Sequence, residues 1–149
     1  MTIKEELQEY ARQCLSGVII SGKKHVWACR RFLEDCKKEE AALSLKEPWP
    51  YIWNEEEANG IVEWFSLLRH SKGDLAGQPI VLTAWQKFNL CQLYGWRERA
   101  TGYKRFRQSF IEVGRKNAKS QMEAGVALYE ISVWSTRNQE NYEYYTAGT

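Results

Sequence analysis

The chain has 149 residues, enough for one domain with a sizeable core. Its 21 lysines and arginines against 19 aspartates and glutamates leave a formal net charge of +2, which is too small to indicate nucleic-acid binding by charge alone. A hydrophobic content of 44% argues against disorder, and no apolar run approaches membrane-spanning length. Residues 1–16 are charged and mixed, so the sequence predicts no signal peptide.

The cysteines are expected to be ordinary reduced thiols of a cytosolic protein. They are Cys14, Cys29, Cys36 and Cys91. No two of them form a CxxC pair, and neither histidine stands at a spacing typical of zinc sites. The sequence therefore predicts no zinc site. His25 and His70 have no identifiable partners, so no catalytic role is predicted for either.

The first two thirds of the chain are predicted to be helical. Apolar residues recur at helical spacing in four stretches bounded by turn residues: 1–15, 25–45, 54–70 and 83–95. Asn54 and Thr83 are suitable N-caps for the third and fourth helices. The acidic run Glu55–Glu57 is interpreted as the favourable first turn of a helix and not as a metal site.

The pattern changes after Gly102 to one typical of an α/β protein. Phe106–Val113 is predicted to be a strand, Lys119–Trp134 a helix and Tyr142–Thr146 a second strand. Two strands joined by a helix form a βαβ unit, which implies a parallel sheet. The predicted fold class is α/β, with a helical N-terminal region followed by this unit.

Two further sets of residues have both a structural and a nucleic-acid interpretation. Lys104, Arg105 and Arg107 are interleaved with aromatic residues and could touch a DNA backbone, although a solvated strand edge is preferred. Several tryptophans could stack on bases, but their helical spacing favours core packing. These tryptophans are Trp49, Trp53, Trp64, Trp85 and Trp96.

The connection between the first predicted strand and the next helix, residues 112–120, has features of a phosphate-binding loop. In such loops a lysine reaches the terminal phosphates and a hydroxyl binds Mg²⁺, roles that Lys119 and Ser120 would take. The helix N-terminus adds partial positive charge. Val113 and Ala118 stand where the general motif has glycines. A basic strand–helix turn with solvent-facing lysines therefore remains an alternative.

The loop resembles the deviant phosphate-binding loop of phage terminase large subunits. In the type found in long-tailed phages this loop reads V-P-R-K-N-G-K-S, and residues 113–120 match it at six of the eight positions. Gly114 replaces the proline and Ala118 replaces the glycine. The absence of the first glycine is thus typical of the family, whereas alanine at position 118 departs from the family's pattern.

The resemblance covers nearly the whole chain in preserved order. Gly77–Gln86 is similar to the family's G-Q-P-F-x-L-x-x-W-Q segment, and Tyr94–Trp96 follows at the family's distance. Ser16–Asp35 looks like the N-terminal helix of the family, and Tyr142–Thr149 looks like the strand after the loop helix. The chain therefore resembles the N-terminal part of a P-loop NTPase domain in a terminase large subunit.

The resemblance implies a division into a helical region, 1–101, with an adenine-contacting W-Q segment, and the start of an incomplete ATPase core, 102–149. It implies ATP and Mg²⁺ as cofactors and Ser120 as a metal ligand. Arg115 matches the loop arginine that stabilises charge on the transferring phosphoryl group, a catalytic role, with a solvated arginine as the alternative. The implied nucleotide-binding residues are Gln86, Gly114, Arg115, Lys116, Asn117, Ala118, Lys119 and Ser120.

Two of these residues have competing interpretations. Gln86 inherits contact with the adenine, but an exposed amide at a helix start would also explain it. Lys116 has no assigned role in the family, and its side chain is expected to face solvent or a DNA phosphate.

In a complete protein of this family, ATP hydrolysis would drive double-stranded DNA into a procapsid, and a second domain would cut the DNA. The implied partners are double-stranded DNA, the terminase small subunit and the portal protein, in the host cytoplasm and away from any membrane. Hydrolysis also needs carboxylates that hold Mg²⁺ and activate water, and no predicted strand after Ser120 ends in such an acid. These 149 residues alone are therefore predicted to be inactive.

Two other functions remain open. The chain would be a non-enzymatic, truncated relative if it only binds DNA or packaging partners. It would be an unrelated small α/β protein if the loop match is accidental.

Overall fold

The computed structural model describes residues 1–42, 49–138, 143 and 145. They form two compact units, of which the first comprises 1–62 with 82–109 and the second 63–81 with 110–149. In chain order the elements are α1 (Ile3–Ser16), α2 (Lys23–Ala41), β1 (Tyr51–Trp53), α3 (Glu55–Leu67), α4 (Ala84–Gly95), β2 (Trp96–Glu98), α5 (Lys119–Leu128), a π-helical segment (Tyr129–Trp134) and α6 (Ser135–Asn138). The predicted helices are thus confirmed, with small shifts at their ends.

Local capping explains where the helices of the first unit begin. The Thr2 hydroxyl accepts a hydrogen bond from the Glu5 N–H at 3.1 Å, and the Glu5 carboxylate accepts one from the Thr2 N–H at 2.8 Å. Gly17 ends α1 in the left-handed conformation, with φ of 81°. Asn54 caps α3 by accepting from the Glu57 N–H at 3.0 Å, as predicted.

The core of the first unit lies where α1 packs against α2 and α4 and where the two strands meet. The buried apolar residues of α1 follow the helical period: Leu7, Tyr10, Ala11 and Cys14. β1 and β2 pair antiparallel, with Trp53 opposite Trp96. The rings of Trp49 and Trp53 each meet Trp96 edge-on at centroid distances of 5.3 Å. Core packing is therefore confirmed for Trp96, which is fully buried, whereas Trp49 and Trp53 are half-buried against it.

The basic cluster near Gly102 is not the solvated strand edge that the sequence predicts. Arg105 Nη1 lies 2.7 Å from Oδ2 of Asp35, whose side chain is only 1% exposed. The ammonium of Lys104 lies 4.5 Å from the ring centre of Tyr94. Two of the three cations are thus engaged inside the first unit, and Arg107 alone is exposed. The prediction failed because the partners of Arg105 and Lys104 are distant in sequence.

In the second unit the end of α3 packs closely on α5. The Trp64 indole N–H donates to the Gly125 carbonyl at 2.9 Å. The buried residues of this helical run are Met122, Gly125, Tyr129 and Trp134. Leu128 and Ile131, two apolar residues of the same run, are 51% and 50% exposed. The π-helical turn explains the difference, because it brings residues five apart, Tyr129 and Trp134, to the buried side.

The parallel βαβ unit is not observed. Among the described residues the one sheet is the antiparallel pair β1–β2, and Phe106–Val113 contains no strand. A strand is stabilised by the hydrogen-bond ladder with its neighbour, and composition alone does not supply that neighbour. Phe110, in the middle of the segment, is 79% exposed. Apart from Glu143 and Tyr145, the predicted strand 142–146 lies outside the described residues. What the structure supports is a mixed α/β chain.

Of the helices in the described ranges, none has the length and apolar character needed to cross a membrane.

Candidate functional site

The loop between Val113 and α5 closes on itself through Asn117. The Asn117 side-chain amide donates to the Gly114 carbonyl at 2.9 Å and to the Arg115 carbonyl at 3.4 Å. Residues 114–120 are all exposed, so their backbone and side chains are open to a ligand from solvent. The short, internally bonded turn keeps the loop compact in front of the helix.

Two residues of this loop adopt the left-handed conformation, which is unusual for residues other than glycine. Lys116 has φ of 67° and Ala118 has φ of 55°, and no other non-glycine residue in the described part of the chain has positive φ. Each costs on the order of 1 kcal/mol of backbone strain. Alternation of left-handed and ordinary residues turns successive N–H groups to one side, which is the geometry of an anion-binding nest.

The start of α5 is electrostatically suited to an anion. Ala118 is the N-cap residue, and within the described residues no side chain caps this helix. The first backbone bond of the helix runs from the Met122 N–H to the Ala118 carbonyl at 2.9 Å. The preceding amides of the first turn, including those of Lys119 and Ser120, therefore stand at the positive end of the helix dipole.

Lys119 forms only a weak ion pair within the chain. Its ammonium lies 3.9 Å from the Glu123 carboxylate, four residues along α5, and both side chains are about half exposed. An exposed pair at this distance contributes little to stability. The ammonium can therefore exchange Glu123 for a more highly charged anion at small cost.

Gln86 is buried at the start of α4. It lies in the first unit, while the loop 114–120 lies in the second. Its side chain is 7% exposed, so it is not an exposed amide. The Gln86 Oε1 accepts from the backbone N–H of Thr83 at 2.9 Å and from the Thr83 hydroxyl at 3.0 Å. The pair is a capping box at the start of α4, and the T-x-x-Q spacing in the sequence is its signature.

Both histidines have partners that the sequence did not reveal. The Tyr10 hydroxyl lies 2.9 Å from Nε2 of His25, and the Gln121 amide lies 3.1 Å from Nδ1 of His70. These pairs are far apart in sequence or join different helices, so spacing alone could not identify them.

The sequence did not predict a cleft of about 400 Å³ that lies in the first unit beside Trp53, Glu57 and Arg97. The Arg97 guanidinium lies 3.5 Å from the Glu57 carboxylate and is almost fully buried. This ion pair in the cleft wall connects β2 to the start of α3.

Part of the chain matches a known protein family. The family model described as "Terminase large subunit, ATPase domain" matches residues 84–147. The matched range begins at α4, includes Gln86 and contains the whole loop 114–120. No curated protein matches the chain, and no solved structure does.

Proposed function

We propose that the chain binds Mg-ATP through the loop from Gly114 to Ser120, on the premise that residues 84–147 match the ATPase-domain family of terminase large subunits. The observation that carries the proposal is the left-handed backbone at Lys116 and Ala118 immediately before the uncapped start of α5. Strain of this kind is found where a backbone has to approach a ligand, and the nest it creates suits a phosphate.

Each side chain around this loop would contact a different charged group of the bound Mg-ATP. The Lys119 ammonium would leave Glu123 and reach the terminal phosphates, and the Ser120 hydroxyl would take a position on Mg²⁺. Arg115, which is exposed beside them, would stabilise the charge that develops on the transferring phosphoryl group. Lys116 would contribute its backbone N–H, with its side chain in solvent or on a DNA phosphate.

The other loop residues would act through the backbone. Gly114 and Ala118 would offer their backbone amide groups to the phosphate. Asn117 would preserve the turn through its bond to the Gly114 carbonyl, so it would position the loop without having to touch the nucleotide.

Gln86 would read the adenine base. A side-chain amide can accept from the exocyclic N6 group and donate to N7, which matches the adenine edge. In the structure its oxygen is committed to Thr83. Adenine recognition would therefore require Gln86 to share or release its capping bonds, and the base would have to compensate for them.

In the protein as a whole, the proposed role is that of the ATP-driven motor that packages double-stranded DNA into a procapsid, with a nuclease that cuts it. The partners would be the DNA, the small subunit and the portal protein in the host cytoplasm. We retain a helical region 1–101 and an ATPase core starting at 102 as the proposed domains. The 149 residues alone would bind nucleotide without turnover, since no predicted strand after Ser120 supplies the Mg²⁺-binding and water-activating carboxylates.

Calorimetric titration with Mg-ATP tests the nucleotide site. We expect measurable binding by the 149-residue protein and at least tenfold weaker binding by Lys119→Ala, because tenfold corresponds to about 1.4 kcal/mol and a charge-assisted phosphate contact contributes about that much or more. Lys72→Ala is the matched control, since it removes an exposed lysine from the same unit. Equal affinity in the wild type and Lys119→Ala would refute the assignment of the loop.

A phosphate-release assay on the same samples tests the predicted inactivity. The expected result is no turnover above background and no cleavage of plasmid DNA. ATP turnover that disappears in Lys119→Ala would show that these residues contain a catalytic carboxylate that the sequence did not reveal.

A further inference from the structure

Three metal-ligating side chains converge between α1 and α2, far from the loop in sequence and in the other unit. The Sγ atoms of Cys14 and Cys29 and a ring nitrogen of His25 all lie within 4.8 Å of one another. His25 and Cys29 are four residues apart on α2, so they share a face of that helix, and Cys14 comes from the facing side of α1. The sequence concealed this grouping because no local motif connects the two helices.

The surroundings of the three ligands are partly polar although they lie in the core. Cys14 is 4% exposed and Cys29 is 0% exposed. The Tyr10 hydroxyl lies 2.9 Å from Nε2 of His25, and the Ser21 hydroxyl donates to Cys14 Sγ at 3.4 Å. Isolated buried cysteines usually serve as small apolar residues, as Cys36 and Cys91 can do here. The convergence of two thiols, an imidazole and two hydroxyls is a different arrangement.

The donor set selects a particular class of cation. Thiolate and imidazole together suit zinc, whereas Mg²⁺ and Ca²⁺ prefer oxygen ligands. With Zn–S bonds of about 2.3 Å, neighbouring ligand atoms of a tetrahedral site lie roughly 3.5–3.8 Å apart. The observed limit of 4.8 Å therefore requires only a small inward adjustment of side-chain rotamers.

We propose that Cys14, His25 and Cys29 bind one Zn²⁺ ion that joins α1 to α2, with the Tyr10 hydroxyl or a water as the fourth ligand. On binding, each thiol loses its proton to solvent and each sulfur donates a lone pair to the metal, while His25 donates from its unprotonated nitrogen. Two thiolates balance the charge of the ion, so the filled site is neutral inside the core. The ion would restrain α1 and α2 relative to each other within the first unit.

The chemistry of the ligands makes such a site dependent on pH, because zinc binds cysteine as the thiolate and histidine as the neutral ring. The titratable groups that face the cluster are Tyr10 and Cys14 of α1, and α4 contributes the uncharged ring of Phe88. Zinc affinity should therefore rise with pH, with two protons released per ion.

Competition between the reduced 149-residue protein and a chromophoric zinc chelator measures this affinity. We expect one Zn²⁺ per chain and at least tenfold weaker binding in Cys14→Ser and in Cys29→Ser. Cys36→Ser is the matched control, because Cys36 is equally buried and lies seven residues after Cys29 on the same helix. Its zinc affinity should stay within twofold of the wild type.

Cobalt substitution and thermal melting distinguish a lost site from a lost fold. Co²⁺ bound to the wild type should show the intense visible bands of tetrahedral coordination and a thiolate charge-transfer band, and Zn²⁺ should raise the melting temperature. In a folded Cys29→Ser protein both effects should be absent or much reduced. If that variant does not fold, His25→Asn, at a half-buried position, replaces it in the same measurements.

Three results would overturn the proposal. The first is equal zinc affinity in the wild type and both cysteine variants, and the second is a comparable loss in Cys36→Ser. The third is a Cys14–Cys29 disulfide in the air-exposed protein together with no zinc uptake after its reduction. None of these depends on nucleotide, so the failure of the loop assignment would not produce them.

Discussion

Arg105 and Asp35 form a buried ion pair, with 2.7 Å between Nη1 and Oδ2, that connects the segment after β2 to the middle of α2. The guanidinium also lies 4.5 Å from the ring centre of Tyr51 and 4.8 Å from that of Phe106. The aromatic rings exclude water from the pair and offer their faces to the cation. This residue, which by sequence could have been a DNA contact, is thus part of the core of the first unit.

Replacing Arg105 by leucine should destabilise the first unit strongly. Asp35, 1% exposed, would be left as a buried charge without its closest cation, which costs about 3–5 kcal/mol. Urea unfolding followed by circular dichroism measures the change. Arg107→Leu is the control, since Arg107 is exposed, and its free energy of unfolding should change by less than about 0.5 kcal/mol. Similar values for the two variants would mean that the pair contributes little.

Replacing Gly125 by alanine should also destabilise the protein, although alanine is the better helix former. A Cβ atom at this position would lie 2.5 Å from Cε1 and Cζ of Phe65. The overpacking should cost about 1–3 kcal/mol, more than the gain of about 1 kcal/mol in helix propensity. The double variant Gly125→Ala with Phe65→Leu should be more stable than the sum of the single changes predicts. Additive effects in the unfolding curves would show that the ring moves aside freely.

The capping of α4 by Gln86 and its proposed contact with adenine can be tested separately, because glutamate at this position also completes a capping box. Gln86→Glu should keep the melting temperature, whereas Gln86→Ala should lose about 1 kcal/mol of stability. If Gln86 reads adenine, both variants should lose the preference for Mg-ATP over other Mg-nucleoside triphosphates in calorimetric titrations, because glutamate cannot donate to N7. A Gln86→Glu protein that retains full preference for ATP would restrict the residue to its capping role.

Replacing Ala118 by glycine should tighten the binding of ATP by about fivefold or more. The loop already holds Ala118 at φ of 55°, which glycine adopts without strain, and removal of the methyl group would give a phosphate oxygen more room beside this residue. The melting temperature should change little, because the relief of strain offsets the greater freedom of glycine in the unfolded chain. Ala124→Gly, at an exposed position within α5, is the control and should lower stability by about 1 kcal/mol without affecting ATP. Unchanged ATP affinity in Ala118→Gly would indicate that the loop serves only as a connector.

The sequence by itself determined the features that depend on neighbours along the chain. The helices begin where Asn54 and Thr83 provide caps, and the buried faces of α1 and α2 follow the helical period. The loop 113–120 could also be recognised, because its residues are contiguous and their order carries the resemblance.

Only the tertiary structure decided which distant residues meet. It placed Arg105 on Asp35, brought Cys14 to His25 and Cys29, and left Phe106–Val113 without a strand partner in the described part of the chain. The physical reason is common to all three, since ion pairs, metal-ligand clusters and strand ladders need a second segment whose position no local pattern specifies. A helix satisfies its own backbone within a few residues, and so its presence could be predicted where these long-range contacts could not.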